Sequence, residues 1–165
     1  MKLFIAPLVI GVGNALRGDD SAGLLVAQRL QARLPTLHIE TASGEGVTLM
    51  ELWAGAALVW VIDAVSSGAA VGTIHRLDVG TQRIPARFFH YSTHAFGVAE
   101  AIEMARVLGN LPPTMIVYGI EGRAYTMGAA LSPEVAQAID QVVVQIEAEI
   151  TALNAAALTH GIDPA

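Results

Sequence analysis

Residues 11–20, GVGNALRGDD, follow directly on the apolar run Leu8-Val9-Ile10. A buried strand that runs into a Gly-rich turn and then a helix is the opening unit of an α/β fold with a parallel sheet. The strand is expected over Leu8–Gly13, with Pro7 at its start, where a missing N–H does little harm. The helix is expected over Asp20–Leu34, where Ala22, Leu25, Val26 and Leu30 recur near helical spacing and Asp19 is placed to cap the N-terminus. A turn of this kind usually cradles phosphate. Here it ends in two adjacent carboxylates.

That charge decides against nucleotide binding. A dinucleotide fingerprint needs glycine where this chain has Leu16. Gly13 and Gly18 have the spacing of a P-loop, but Asp19 and Asp20 stand where lysine and a hydroxyl residue belong. Each unit-charge repulsion against phosphate costs about 4 kcal/mol at ~4 Å and an effective dielectric of ~20.

The rest of the chain extends the same architecture. Further strands are expected over Leu37–Thr41, Ala57–Ile62, Thr73–Val79 and Met115–Ile120, and helices over Val47–Trp53, Ala95–Leu108 and Pro133–Leu153. Asp63 is expected to stop its strand, and Ser132 with Pro133 to open the last helix. Only residues 64–72 separate the third and fourth strands, too few for a parallel crossover, so these two are expected to pair antiparallel. The fold class is therefore α/β: a three-layer sandwich with a mostly parallel twisted sheet, one antiparallel strand and helices on both faces. Residues 1–153 are expected to form a single domain, and 154–165 a flexible C-terminal tail.

Composition agrees. Apolar residues make up 53% of the 165-residue chain and charged ones 15%, the balance of a sheet covered on both faces. The net charge of −6 argues against nucleic acid or an anionic membrane surface as partner. There is no cysteine, which excludes thiol catalysis, Cys-ligated zinc and disulfides. No apolar run is long enough to insert into a membrane and no signal-peptide pattern is seen, so a cytoplasmic location is expected.

In open parallel sheets ligands gather outside the carboxyl ends of the strands. Those ends carry Asp20, Asp63 and Glu121, and the loop His90-Tyr91-Ser92-Thr93-His94 can reach the same edge. Asp20, Asp63 and His94 supply two hard oxygens and one imidazole, a donor set suited to zinc or nickel more than to magnesium or calcium. His94 is expected at or just before a helix N-terminus, where the dipole favours the neutral, ligating imidazole. Plainer roles exist for each: a helix cap for Asp19 and Asp20, a turn for Asp63, a structural hydrogen bond for His94. Ser43 lacks a G-x-S-x-G elbow, and no H-E-x-x-H occurs.

Taken in order, the motifs resemble a known family. Gly11-Val12-Gly13-Asn14-Ala15-Leu16-Arg17-Gly18-Asp19-Asp20-Ser21-Ala22-Gly23 resembles the opening G-x-G-N-x-L-x-x-D-D/E-x-x-G of nickel–iron hydrogenase maturation endopeptidases. The resemblance continues through residues 44–52, Val61-Ile62-Asp63-Ala64, residues 92–100, the Gly119 turn and Leu131-Ser132-Pro133, and so covers the chain to about residue 150. Ser21 departs from the glycine many members have there, and Ser92-Thr93-His94 from the Ser-Pro-His of some; neither removes a ligand.

The resemblance implies a cytoplasmic protease that removes a short C-terminal extension from the hydrogenase large-subunit precursor once nickel is inserted. Asp20, Asp63 and His94 fall on the family's metal-contacting and catalytic positions. The nickel would arrive in the substrate, and another divalent ion such as zinc or cadmium could occupy the site in vitro. Hydrolysis would proceed either through nickel polarising the scissile carbonyl or a water, or through Asp20 or Asp63 as general base. A non-catalytic nickel chaperone or assembly scaffold, and a protease of this architecture acting on another precursor, are the rival readings.

Overall fold

A computed structural model of the chain describes residues 6–85, 87–88 and 94–159. Ten segments follow in order: strand β1 (Leu8–Val12), a short 3₁₀ turn (Gly18–Ser21), helix α1 (Ala22–Arg33), β2 (His38–Ala42), α2 (Gly46–Trp53), β3 (Leu58–Val65), β4 (Ile74–Asp78), α3 (Val98–Val107), β5 (Thr114–Glu121) and α4 (Pro133–Thr159). The strands form one sheet in the order β2-β1-β3-β5-β4, parallel except for β4.

Strand alternation sends two sets of apolar side chains to opposite faces. Val9, Trp60, Ile62, Ala64, Tyr118 and Ile120 pack with Val26 and Leu30 of α1 and with Ile139, Val142 and Ile146 of α4. Leu8, Ile10, Val12, Val59, Val61, Val65 and Val117 pack with Leu49 and Trp53 of α2 and with Val98, Ala101 and Ile102 of α3. The molecule is thus the three-layer α/β sandwich read from the sequence. Its sequence order reverses direction between β1 and β3, the place where open α/β sheets form their ligand crevice.

Four expectations are corrected. The antiparallel strand β4 pairs with β5, not with its sequence neighbour β3. All but the first residue of β5 is buried, as in a strand with neighbours on both sides, whereas β4 is half-exposed and suits the edge. The chain from Ser66 to Thr73 is long enough to step over the ~5 Å slot that β5 fills. Secondly, β3 does not stop at Asp63 but runs two residues further to Val65, so Asp63 lies within a strand. Thirdly, α3 begins at Val98, capped by the Glu100 carboxylate on the Gly97 N–H, which leaves His94 short of the helix. Lastly, α4 continues beyond Leu153 to Thr159.

One carboxylate ties α4 to the sheet. Glu149 accepts hydrogen bonds from Trp60 Nε1 of β3 and Arg76 Nε of β4, both at 2.8 Å, and from the Tyr118 hydroxyl of β5. Burial alone would raise its pKa, but the bonds from Arg76, Tyr118 and Trp60 outweigh that and hold it below the usual value of about 4.5. Stability from a depressed acid is whole above the unfolded pKa and is lost as pH falls through the folded one. Glu149→Gln should therefore cost about 1–2 kcal/mol near neutral pH, and the gap to wild type should close as urea titrations are taken below about pH 4. A gap that stays constant with pH would show that charge is not what these three donors recognise.

Candidate active site at the carboxyl edge of the sheet

The loop after β1 is built on close backbone approaches. Gly18 adopts φ +54, and a Cβ there would lie 2.3 Å from the Ala124 carbonyl oxygen. The next two residues diverge in fate. Asp19, expected as a helix cap, is fully buried and caps nothing; α1 is entered from Ser21 with no side-chain cap. Its Oδ2 accepts from the N–H groups of Arg123 and Ala124, both at 2.9 Å, and from the Ser132 hydroxyl at 2.8 Å, while Oδ1 accepts from Ser132 N at 2.7 Å. Burial pushes this carboxyl up, but the donors at Arg123, Ser132 and Ala124 outweigh it and leave the pKa below the usual carboxylate range. Nothing in the local sequence signals this role, because all its partners lie more than 100 residues away.

Asp20 remains at the surface of the crevice, with 22% of its side chain exposed and the Arg17 guanidinium 4.0 Å away. Partial burial raises its pKa, and Arg17 and His94 pull it back. Asp63 projects from β3 on the α2/α3 face, since its neighbours Val61 and Val65 lie in that core and Ile62 and Ala64 in the other. It is 8% exposed, and its Oδ1 accepts from the Ala64 N–H at 2.8 Å. Burial, and then the charge of Asp20, drive its pKa well above the usual range. Burial thus disfavours the ionised form of both carboxyl groups, and more strongly at Asp63.

His94 is half-buried, and its ring edge lies 3.8 Å from where a Cβ on Gly44 would stand. The segment that carries it is fastened to the start of α2: Gly46 N donates to the Phe96 carbonyl at 2.8 Å, and a Cβ on Gly46 would meet the Phe96 ring at 2.2 Å. The small-residue turn before α2 is what lets this segment approach. Glu45 caps α2, accepting from Val47 N at 3.0 Å and Thr48 N at 2.9 Å.

Asp20 is near enough to both Asp63 and His94 for their charges to be felt: its own charge raises the pKa of Asp63, and His94 lowers that of Asp20. Among the described residues, no three His, Asp or Glu side chains are gathered so as to hold a metal ion by themselves. His90, Ser92 and Thr93 lie outside the described residues. Glu121, a candidate from its place at a strand end, is 2% exposed and serves a different purpose. It accepts from Ser67 N at 2.7 Å, Ser67 Oγ at 2.8 Å and Gly68 N at 3.1 Å, and contacts His75 Nε2 at 3.2 Å, so it fixes the turn after β3.

Comparison with known proteins bears on this edge. Residues 28–149 match the model of the family described as HycI, hydrogenase maturation protease. The hydrogenase expression/formation protein HupD of Thiocapsa roseopersicina is 27% identical over 139 residues, which are 80% of this chain; the chain spans 62% of that protein's length. The hydrogenase 2 maturation protease of Escherichia coli is 28% identical over 149 residues, 87% of this chain and 89% of that one. The solution structure of an endopeptidase from Escherichia coli superposes with a TM-score of 0.73 at 27% identity, over 85% of this chain and 88% of that one. The chain belongs to the hydrogenase maturation protease family.

Proposed function

We propose that the protein is an endopeptidase that removes the C-terminal extension of a nickel–iron hydrogenase large-subunit precursor after nickel insertion, in the cytoplasm. The nickel in the precursor is the recognition element, and Asp20, Asp63 and His94 are the residues that meet it. The observation that carries this reading is the placement of Asp20 after β1, Asp63 near the end of β3 and the His94 ring beside Gly44 at the carboxyl edge of the sheet, in a chain of this family. The remaining ligands would come from the precursor itself, so the site is complete only in the complex.

The chemistry follows from the two carboxyl groups. A cation entering the crevice would offset the like charge of the two carboxylates and favour the ionised form of Asp63, which burial and Asp20 disfavour. His94 would add an imidazole nitrogen to this pair of carboxylates. Cleavage then needs a water aimed at the scissile carbonyl, activated by the substrate's nickel or taken by a carboxylate as general base.

Incubation with nickel-loaded and nickel-free precursor, read by intact mass, tests the reading. The C-terminal peptide should leave the nickel-loaded precursor only. Asp20→Asn and His94→Ala should stay folded and slow cleavage by at least ~100-fold. Cleavage irrespective of nickel would remove the metal as the mark. No cleavage, with nickel held tightly by the protein alone, would favour the chaperone or scaffold reading.

A further inference from the structure

We propose that Asp19 is a positioning residue: through the segment from Arg123 to Ser132 it holds the 3₁₀ turn that presents Asp20 to the substrate. The inference rests on the proposed role of Asp20. The turn itself is weakly built. It spans only Gly18–Ser21, has no side-chain cap, and is closed locally by Asp20 N to the Arg17 carbonyl at 3.0 Å, Asn14 N to the Asp20 carbonyl at 3.1 Å and Ser21 Oγ to the Gly18 carbonyl at 2.7 Å. A turn of this length has no helical ladder to resist a pull on its one partly exposed carboxylate.

What resists it comes from the segment after β5. Asp19 N donates to the Ala124 carbonyl at 2.8 Å, Gly128 N donates to the Leu16 carbonyl at 2.8 Å, and Arg17 Nε donates to the Tyr125 carbonyl at 3.0 Å. The four bonds accepted by the Asp19 carboxylate close the same seam from inside. Tyr125 pins the segment to the sheet by donating its hydroxyl to the Val65 carbonyl at 2.6 Å. The two stretches are so close that a Cβ on Gly122 would lie 2.8 Å from the Asp19 Cβ. Asp19 therefore joins the Asp20 turn to β3 and β5, the strands that carry Asp63 and Glu121. A catalytic group displaced by 1 Å can lose about a hundredfold in rate.

Asp19→Asn changes shape least and replaces one acceptor oxygen with a donor that faces N–H groups. It should lower kcat on the nickel-loaded precursor by ~10–100-fold with KM within about twofold. Ser132→Ala removes one of the four bonds and should lower kcat by a few fold, and it serves where Asp19→Asn folds poorly. Hydrogen exchange on the intact protein supplies a readout independent of turnover. Amides of residues 14–21 and 123–132 should exchange faster in both variants, with β1, β3 and β5 unchanged. Faster exchange across the whole sheet, or unchanged kcat in a folded variant, would overturn the inference. If the wild type itself cuts no precursor, the functional reading fails while the exchange pattern still decides the seam.

Discussion

Asp63→Asn is expected to abolish precursor cleavage while leaving the protein at least as stable as the wild type. The two halves of that expectation have one cause. Asp63 is 8% exposed, has its Oδ1 on the Ala64 N–H, and faces the charge of Asp20. Folding must either desolvate this carboxylate beside a like charge or protonate it, and its raised pKa records that cost. For an acid whose folded pKa is raised, the cost is absent below the unfolded pKa and present above it. The amide of asparagine keeps an acceptor for Ala64 and carries no charge. Its stability should therefore equal or exceed wild type near neutral pH, by up to about 2 kcal/mol, and match it in acid.

A residue kept at a cost to the fold is one that the site uses. The cleavage rate should fall by roughly 10²–10⁴, whether Asp63 contacts the substrate's metal or accepts a proton. Thermal melts together with intact-mass time courses check both halves. A variant that cleaves normally would take Asp63 out of the site. One that melts well below wild type would make its carboxylate structural.

The sequence carried the layer order and the site edge because both depend on local pattern. Continuous apolar runs at residues 8–10 and 58–62 identify buried strands, and the carboxyl ends of those strands identify the crevice. Strand neighbours were another matter. Residues 66–73 limit how β4 can follow β3, but only the burial of β5 on both sides decides that it comes between them. The two adjacent aspartates were equally opaque. Asp19 and Asp20 look interchangeable as caps, and what separates them is a segment 104–113 residues away that satisfies one and leaves the other facing the crevice. The seam from Leu16 to Ser132 could not be read at all, since every bond in it joins residues more than 100 positions apart and most have a backbone group at one end. Glu121 looked like a site residue for a sound reason, its place at the end of a parallel strand, and proved to be the anchor of the next turn.

Gly23→Ala is expected to destabilise the protein by about 3 kcal/mol or more, the opposite of what helix propensity predicts. Alanine in place of glycine inside a helix ordinarily gains about 1 kcal/mol. Gly23 lies in the first turn of α1 and is buried. A Cβ there would stand 2.2 Å from the Ile62 carbonyl oxygen, 2.3 Å from the Val12 carbonyl oxygen and 2.8 Å from Val12 N. All three are backbone atoms of β1 and β3, so no side chain can swing aside, and α1 must lift off the sheet. Across that contact a Cβ on Gly11 would meet the Gly23 carbonyl at 2.4 Å, so both surfaces are already at their limit. Gly55→Ala provides the contrast: its Cβ would meet nothing within 4 Å, and only its φ of +76 opposes the change. That substitution should cost about 1–2 kcal/mol. Urea titrations of the two variants compare contact with conformation directly, and equal losses would refute the packing account. Because Asp20 lies one turn before Gly23 and Asp63 directly follows Ile62, lifting α1 also parts the two carboxylates. Cleavage by any Gly23→Ala protein that still folds should therefore fall further than its remaining stability would predict.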